Sequence, residues 1–428
     1  MAQTVIGLGH PLARKIYGAA VFSELTRQPT FMNRLTGEAP GLSDVASKLE
    51  KMQTPAGYPI VRITDLSRSA GDTVSVDLFN ILQGRPVTGD TKIAGKMMNL
   101  TATSMDIKIN QIRAGVDTGG RMTKQRTLHD LRTVGRAALA GYWARMNDQI
   151  KLVHMAGARG SQYTPDWAVP LASDPEFGDI MVNVDATNRV MPPTYDKHFY
   201  AGDATSLATL DATDVLTLED IDRLRASIDE MQTPMQPVML PDDPAAADEP
   251  LYVLLVTARV WHYLQTRTGE KAWRTFLMNA RERGSKNPLF TGEPGMWNGI
   301  LIKKMPRAIR FAPGEVVNVC ANDAAATITT STVDPALGGA DSAYYNVDRC
   351  LLLGAQGMAE CWGQHSASGS HMAWHEEKSD HDAVLEASIS AIGGWSKLRF
   401  KDSTGYVKDH GIMVVDVVAP DPTRIVMP

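Results

Sequence analysis

A chain of 428 residues can bury a large core and has room for roughly two or three domains. Its 43 Lys and Arg stand against 48 Asp and Glu, and 43% of its residues are hydrophobic, a globular composition whose acidic balance argues against a protein working mainly through a basic nucleic-acid-binding face. No segment is long and apolar enough to cross a bilayer and the opening MAQTVIGLGHPLARKIYG lacks a signal-peptide pattern, while the three cysteines, Cys320, Cys350 and Cys361, lack metal-type spacing and are expected to be free, mostly buried thiols in a reducing compartment.

Residues 1–60 read as short helical fragments broken by Pro11, Pro29, Pro40, Pro55 and Pro59, an arm laid over something else. Val74, Val76 and Leu78, then Met105, Ile107 and Ile109, alternate with polar residues at the period of an extended ribbon with one face buried. Gly84, Pro86, Gly89 and Gly95 lie between them, so the ribbon is expected to project as a hairpin that finds its missing contacts on another chain. A long helix over 127–156 follows. Thr127 and Asp130 form a capping signature, and Leu128, Leu131, Val134, Ala138, Tyr142, Met146, Ile150 and Val153 recur every three or four residues up to Gly157. At about 1.5 Å per residue this is a rod of roughly 45 Å. Arg132, Arg136, Arg145, Asp148 and Lys151 occupy the opposite face, which is expected to be solvated.

Residues 158–215 are irregular. TLEDIDRLRASIDEM predicts a short capped helix from Thr217, and LYVLLV predicts a buried strand, followed by helices near Arg259–Leu264 and Lys271–Arg283. A strand pair is expected over Trp297–Met305. AECWGQHSASGSHMAWHEEKSDHD reads as an insertion or long loop before SISAIGGWSKLRF and the closing strand HGIMVVDVVAP. Strands and helices interleave irregularly, so the fold class is α+β.

The chemical motifs are weak. VIGLGH carries Leu12 where a dinucleotide fingerprint needs its third glycine, and GDTKIAGKM has phosphate-loop glycines one residue too far apart, with Met97 in place of the hydroxyl. His365, His371, His375 and His381, with Glu376, Glu377, Asp380 and Asp382, offer a metal reading, because two histidines four apart on a helix can share an ion. The HMAWHEE segment lacks the glutamate of HExxH, and exposed histidines are the plainer reading. No catalytic residue, metal ligand or cofactor is assigned.

The segments LTRQPTFMNRLTGE, RITDLSRSAGDTVSVDLFNILQGRPVTGD, GGRMTKQRTLHDLR, GYWARMNDQIKLVHMAGARG and NPLFTGEPGMWNGILI, in this order, resemble the major capsid proteins of tailed bacteriophages, in the group typified by the coliphage N-four coat protein. The resemblance implies a Hong Kong 97-like fold and a structural, non-enzymatic protein. It places an N-terminal arm at 1–60, an extended loop at 61–118, and a peripheral domain at 119–165 with 384–428 that carries the spine helix. An irregular connection falls at 166–215, and an axial domain with a loop insertion at 216–383.

On this reading, chains assemble as hexamers and pentamers into an icosahedral head around double-stranded DNA. The implied partners are a separate scaffolding protein, a portal protein and a decoration or cement protein, with no membrane, and assembly occurs in the bacterial host's cytoplasm on the way to the virion. The residues expected at intersubunit contacts are Leu82, Arg85, Val87, Lys92 and Ile93 on the loop, Phe22, Phe31 and Arg34 on the arm, and Arg121 and Arg126 at the root of the spine. The competing readings are a metal-dependent hydrolase using 365–381 and a nucleic-acid-binding protein using the basic stretch from Arg121.

Overall fold

A computed structural model describes residues 32–38, 57–66, 73–79, 86–89, 92–94, 97, 102–120, 125–126, 130–183, 188–231, 233–239, 250–283, 295–322, 327–363, 371–379, 384–401 and 405–425. The first elements are β1 (Thr36–Glu38), β2 (Ile60–Leu66), β3 (Thr73–Phe79), β4 (Ala102–Lys108), β5 (Asn110–Gly120) and helix α1 (Leu131–Ala156). The middle of the chain forms β6 (His198–Tyr200), α2 (Leu218–Glu230), β7 (Tyr252–Val256), α3 (Ala258–Arg267), α4 (Glu270–Arg283), β8 (Gly295–Trp297), β9 (Ile300–Lys304), β10 (Ile309–Phe311), β11 (Val316–Cys320) and β12 (Ile328–Thr332). The last strands are β13 (Val347–Leu353), β14 (Met358–Gly363), β15 (Met372–Ser379), β16 (Val384–Lys397), β17 (Arg399–Lys401), β18 (Val407–Asp409) and β19 (Ile412–Val418).

Two mixed sheets organise the molecule. In the six-stranded sheet β1-β2-β14-β16-β15, β5 pairs with β16 as well. The seven-stranded sheet runs β6-β19-β13-β7-β9-β8, with β10 on β13. YVLLV, CLLL and IMVV are continuous apolar runs because the central strands of this second sheet are covered on both faces. Val253, Leu255, Leu351 and Val414 face the core shared with α1, whereas Leu254, Val256, Leu352 and Val415 pack against α2 and α3 through Ile221, Leu224, Val260 and Leu264. The mixed architecture agrees with the α+β expectation. Among the described residues no helix is long and apolar enough to cross a membrane.

Several predicted elements appear where the patterning put them. Thr217 caps α2 in a reciprocal box with Asp220, and β3 pairs antiparallel with β4 in the register Val74↔Ile107, Val76↔Met105. The long helix, however, begins at Leu131. Asp130 is its N-cap, accepting from the Arg132 N–H at 3.1 Å and the Thr133 hydroxyl at 2.7 Å, and Thr127 lies outside the described residues. Its end is as expected: Gly157 takes φ 67° and donates to the Val153 carbonyl at 2.9 Å. A Cβ there would collide with the Met191 carbonyl, so the left-handed cap and the close approach both require glycine. The described helix has 26 residues, about 39 Å.

The burial of α1 corrects the expected stripe. Val134 and Ala138 are exposed, whereas Asp148 and Lys151 of the supposedly solvated face are buried. From Met146 to Ala156 every residue is buried, because this half of the helix is enclosed by the six-stranded sheet and the end of β13. Only the first half is an amphipathic surface helix.

The His-rich segment is a second correction. β14 and β15 are strands lying along β16 in the registers Met358↔Lys397 and Met372↔Ala391, so the described part of the segment supplies a sheet rather than a loop, and 364–370 and 380–382 within it lie outside the described residues. The expected boundary at 383 therefore falls inside the β15–β16 hairpin. β19, expected with the peripheral part, lies in the other sheet beside β13. β2 and β5, expected in the extended loop, belong to the six-stranded sheet, which leaves β3–β4 as the separate ribbon.

Candidate assembly interface

The ribbon is anchored at its root. Val74, Val76, Met105 and Ile107 are buried against Ala359 and Cys361 of β14 and against Leu398 and Phe400, with Ile109 packed alongside. Asn188 fixes the turn into β5 by accepting from the Lys108 N–H at 2.8 Å and donating to its carbonyl at 2.7 Å. Beyond this root the chain runs to an exposed tip. Ile93 is 61% and Met97 72% exposed, Lys92 is exposed, Val87 is half-buried, and Gly89 takes a turn conformation with φ 66°. These two large apolar side chains stand in water on an anchored ribbon among the described residues.

The other expected contact residues are only partly placed. Arg126 is exposed, and Arg34 lies in the 3₁₀ turn Met32–Leu35 between the buried Met32 and Leu35. Leu82, Arg85, Phe22, Phe31 and Arg121 lie outside the described residues. Met97 and Val134, which is 54% exposed, are exposed apolar groups that sequence reasoning did not select.

Beside the ribbon's root, α1, β2 and β14 share a buried ionic cluster that the helical pattern concealed. Glu360 on β14 forms an ion pair with Lys151 Nζ at 3.0 Å and accepts from Arg62 Nε at 3.1 Å and Asn147 Nδ2 at 3.1 Å, joining α1, β2 and β14. Burial alone would raise the Glu360 carboxyl, but Lys151 and Arg62 with these hydrogen bonds more than offset it and hold it at about 2. Lys151 is pushed down by its own burial and supported by Glu360. The helix positions Asn147 and Lys151 four residues apart, on one face, so both reach the same carboxylate.

A second cluster ties the C-terminal end of α1 to the seven-stranded sheet. Arg349 on β13 holds Asp416 on β19 bidentately, both contacts at 2.8 Å, and donates from Nη1 to the Ala156 carbonyl at 3.0 Å. His198 lies 2.7 Å from Asp416 and 3.2 Å from the Tyr200 hydroxyl. Burial drives His198 down despite Asp416. The Tyr-His-Asp chain superficially suggests acid–base chemistry, yet all three carry partners in a packed interior and act as struts.

The metal reading fails on geometry. His371 immediately precedes β15 and His375 lies on it, so the pair is spaced along extended backbone, about 13 Å at the usual strand rise, rather than across one helical turn. His371 is engaged with the Gly363 carbonyl at 3.0 Å and His375 is exposed. His365 and His381 lie outside the described residues. The cysteines are buried, and burial raises all three thiols, which suits packing and not nucleophilic attack.

A family model described as phage capsid protein matches residues 5–421. The chain belongs to this phage capsid protein family. It is 26% identical over 408 residues to the major capsid protein of Pseudomonas phage KPP25, covering 86% of this chain and 89% of the relative. Among solved structures it resembles the capsid of Ralstonia phage GP4, with a TM-score of 0.68 and 26% identity over 98% of this chain and 99% of that one. The fold extends to the cyanophage Pam1 capsid, with a TM-score of 0.55 and 18% identity over 90% and 95% of the two chains. It extends also to the head of Helicobacter pylori bacteriophage KHP40, with a TM-score of 0.53 and 12% identity over 89% and 94%.

The protein is therefore a phage major capsid protein of Hong Kong 97-like fold, structural and not enzymatic, and its place is the capsid of the virion. The hydrolase reading of 365–381 finds no support in these relatives or in the strand geometry. The anchored ribbon and the ionic clusters are parts of a self-associating subunit.

Proposed function

We propose that copies of this chain close into rings of five and six that tile an icosahedral shell around double-stranded phage DNA, and that the ribbon tip over 86–97 lies on the neighbouring subunit. The observation that carries this reading is the pair of exposed apolar side chains, Ile93 and Met97, on a ribbon whose root is buried. Head-to-tail contacts between different patches close into rings, and further contacts from a reaching loop add avidity to each modest edge. Val87, Lys92 and Ile93 are the described loop residues at this contact, with Leu82 and Arg85 beside them in sequence. Arg126 and Arg121 serve the root of the spine, and Phe22, Phe31 and Arg34 the arm.

In domain terms, 1–60 is the arm, the ribbon is the extended loop, α1 with the six-stranded sheet is the peripheral part, and the seven-stranded sheet with α2, α3 and α4 is the axial part. A separate scaffolding protein directs closure in the bacterial cytoplasm, a portal protein occupies one vertex, and a decoration protein binds outside. DNA is packaged without sequence specificity, which suits the net charge of −5.

The test replaces 84–96 with a tight Asn-Gly hairpin. The subunit is expected to keep its far-ultraviolet circular dichroism and a cooperative melt while failing to form closed shells by sedimentation and microscopy. Normal shells from the shortened chain would refute the intersubunit role of the tip, and global unfolding would place it in the core.

A further inference from the structure

The edges of the two sheets differ in how they meet water. The seven-stranded sheet ends in β6 and β8, three residues each, too short to template another chain. The six-stranded sheet presents β5, which spans 11 residues and among the described residues pairs only with β16. Its sequence, NQIRAGVDTGG, contains neither the proline nor the lysine that usually blunts an edge. Every second residue of β5 directs its N–H and C=O away from β16, and among the described residues no other strand pairs with that outer edge, where the N–H groups of Gln111 and Gly119 are taken by Asn110 Oδ1 and Asp117 Oδ1.

The side chains give that edge a self-complementary register. Arg113, Gly115 and Asp117 are exposed on one face, while Ile112, Ala114 and Val116 are half-buried toward the core. Two copies of β5 laid antiparallel about Gly115 place Arg113 of each copy opposite Asp117 of the other and bring the two Gly115 backbones together with nothing between them. A two-residue slip in either direction puts Arg113 opposite a glycine and loses both ion pairs, and a one-residue slip reverses the faces. Within the chain, Asp117 lies across from Glu386 on β16. Neither Arg113 nor Asp117 forms an ion pair among the described residues; Asp117 accepts only from the Gly119 N–H, at 2.7 Å. The other long edge, β15, exposes His375 and Glu377, but the antiparallel register that sets these two opposite each other is centred on Glu376 and brings two carboxylates together.

We propose that β5 is a twofold seam, joining two copies of this chain edge to edge into one continuous sheet through paired Arg113–Asp117 contacts centred on Gly115. The seam is isologous, so it links subunits of different rings rather than members of one ring, and it rests on the reading that copies tile a shell.

Cross-linking and charge reversal test it in the full-length chain. Gly115→Cys introduces a Cβ that meets Ala387 O at 3.4 Å and Ser388 Cβ at 3.5 Å, ordinary packing distances, and the native cysteines are buried. Opposed strand residues lie about 4.5–5.5 Å apart at Cα, within disulfide range. Oxidised Gly115→Cys protein is expected to run as a covalent dimer on a non-reducing gel, while His375→Cys remains monomeric. Arg113→Asp and Asp117→Arg, each alone, are expected to raise the protein concentration needed for assembly about tenfold, because each turns two attractive cross-strand pairs repulsive. The double reversal restores it. Normal assembly by either single variant, or no rescue by the double, overturns the seam. Shells of Gly115→Cys that stay monomeric on the gel overturn the seam alone, whereas dimers without shells support the seam and count against the shell.

Discussion

Replacing Lys151 with Met removes one cation from the buried cluster and leaves Glu360 with Arg62 and Asn147. The side chains of Lys151 and Glu360 are fully buried, so water cannot substitute for the lost partner. Lys151, Arg62 and Asn147 together hold Glu360 from an ordinary 4.5 down to about 2 against its burial, a gap equal to about 3 kcal/mol for the whole set of partners at 1.36 kcal/mol per unit, while burial of Lys151 lowers its own value and works against the pair. Breaking one side of a buried ion pair costs about 3–5 kcal/mol in general, which sets the scale expected for this variant. The pH sign follows from the depressed value: the stabilisation is fully present above the ordinary carboxylate value and is lost as pH falls from about 4.5 through about 2. In Lys151→Met the carboxyl rises, so acid unfolding of the subunit begins at higher pH. The assay is urea denaturation of purified subunits across pH, with the triple variant Arg62→Leu, Lys151→Met, Glu360→Leu as comparator. The triple variant is expected to be more stable than the single one, since it leaves no buried charge unpaired. A single variant within about 1 kcal/mol of the parent, or a triple variant less stable than the single, would refute the reasoning.

Trp143 is 1% exposed in the core under the six-stranded sheet, so Trp143→Ala is expected to cost about 3–5 kcal/mol and yield insoluble subunits; a soluble variant with an unchanged melt contradicts this packing. His371→Ala with His375→Ala should change stability by no more than about 0.5 kcal/mol per site, and zinc bound stoichiometrically by the parent but not by the variant would revive the metal reading. His154 and His410 are held neutral by burial, each lowered from 6.5 to about 4. Because the unfolded chain binds the protons first, stability is expected to fall as pH drops from about 6.5 to about 4, by up to about 3 kcal/mol per histidine. His410→Asn should flatten that slope in denaturation midpoints measured between pH 7.5 and 4.5, and an unchanged slope would exclude His410 as a source.

Local signals carried much of the fold. The capping box at Thr217 and Asp220, the apolar runs of β7 and β19, the period-two register of β3 and β4 and the glycine stop at Gly157 each depend on neighbours within a few residues, so they were legible without tertiary contacts. The same local logic misread α1. An Asp, a Lys and an Arg at helical spacing are the usual marks of a solvated face, and nothing within the helix reveals that Glu360, more than two hundred residues on, supplies the countercharge for Lys151. The strand character of Met358–Gly363 and Met372–Ser379 was hidden for a similar reason. The glycines, serines and histidines in and between them resemble a loop, and only pairing along β16 makes the extended backbone stable.

The candidate site divides in the same way. The loop's glycine and proline spacing was enough to mark it as a reaching ribbon, and long segments in a fixed order were enough to place the chain among phage capsid proteins. The exposure of Ile93, Met97 and Val134 required the fold, because an apolar residue looks alike in sequence whether its partner lies in the same chain or another. The sequence by itself determined the helices with caps, the strands with alternating or continuous apolar runs, and the family. Only the tertiary structure decided which charges are buried and paired, which strands share a sheet and which edge is left open, since those depend on contacts between residues far apart in the chain.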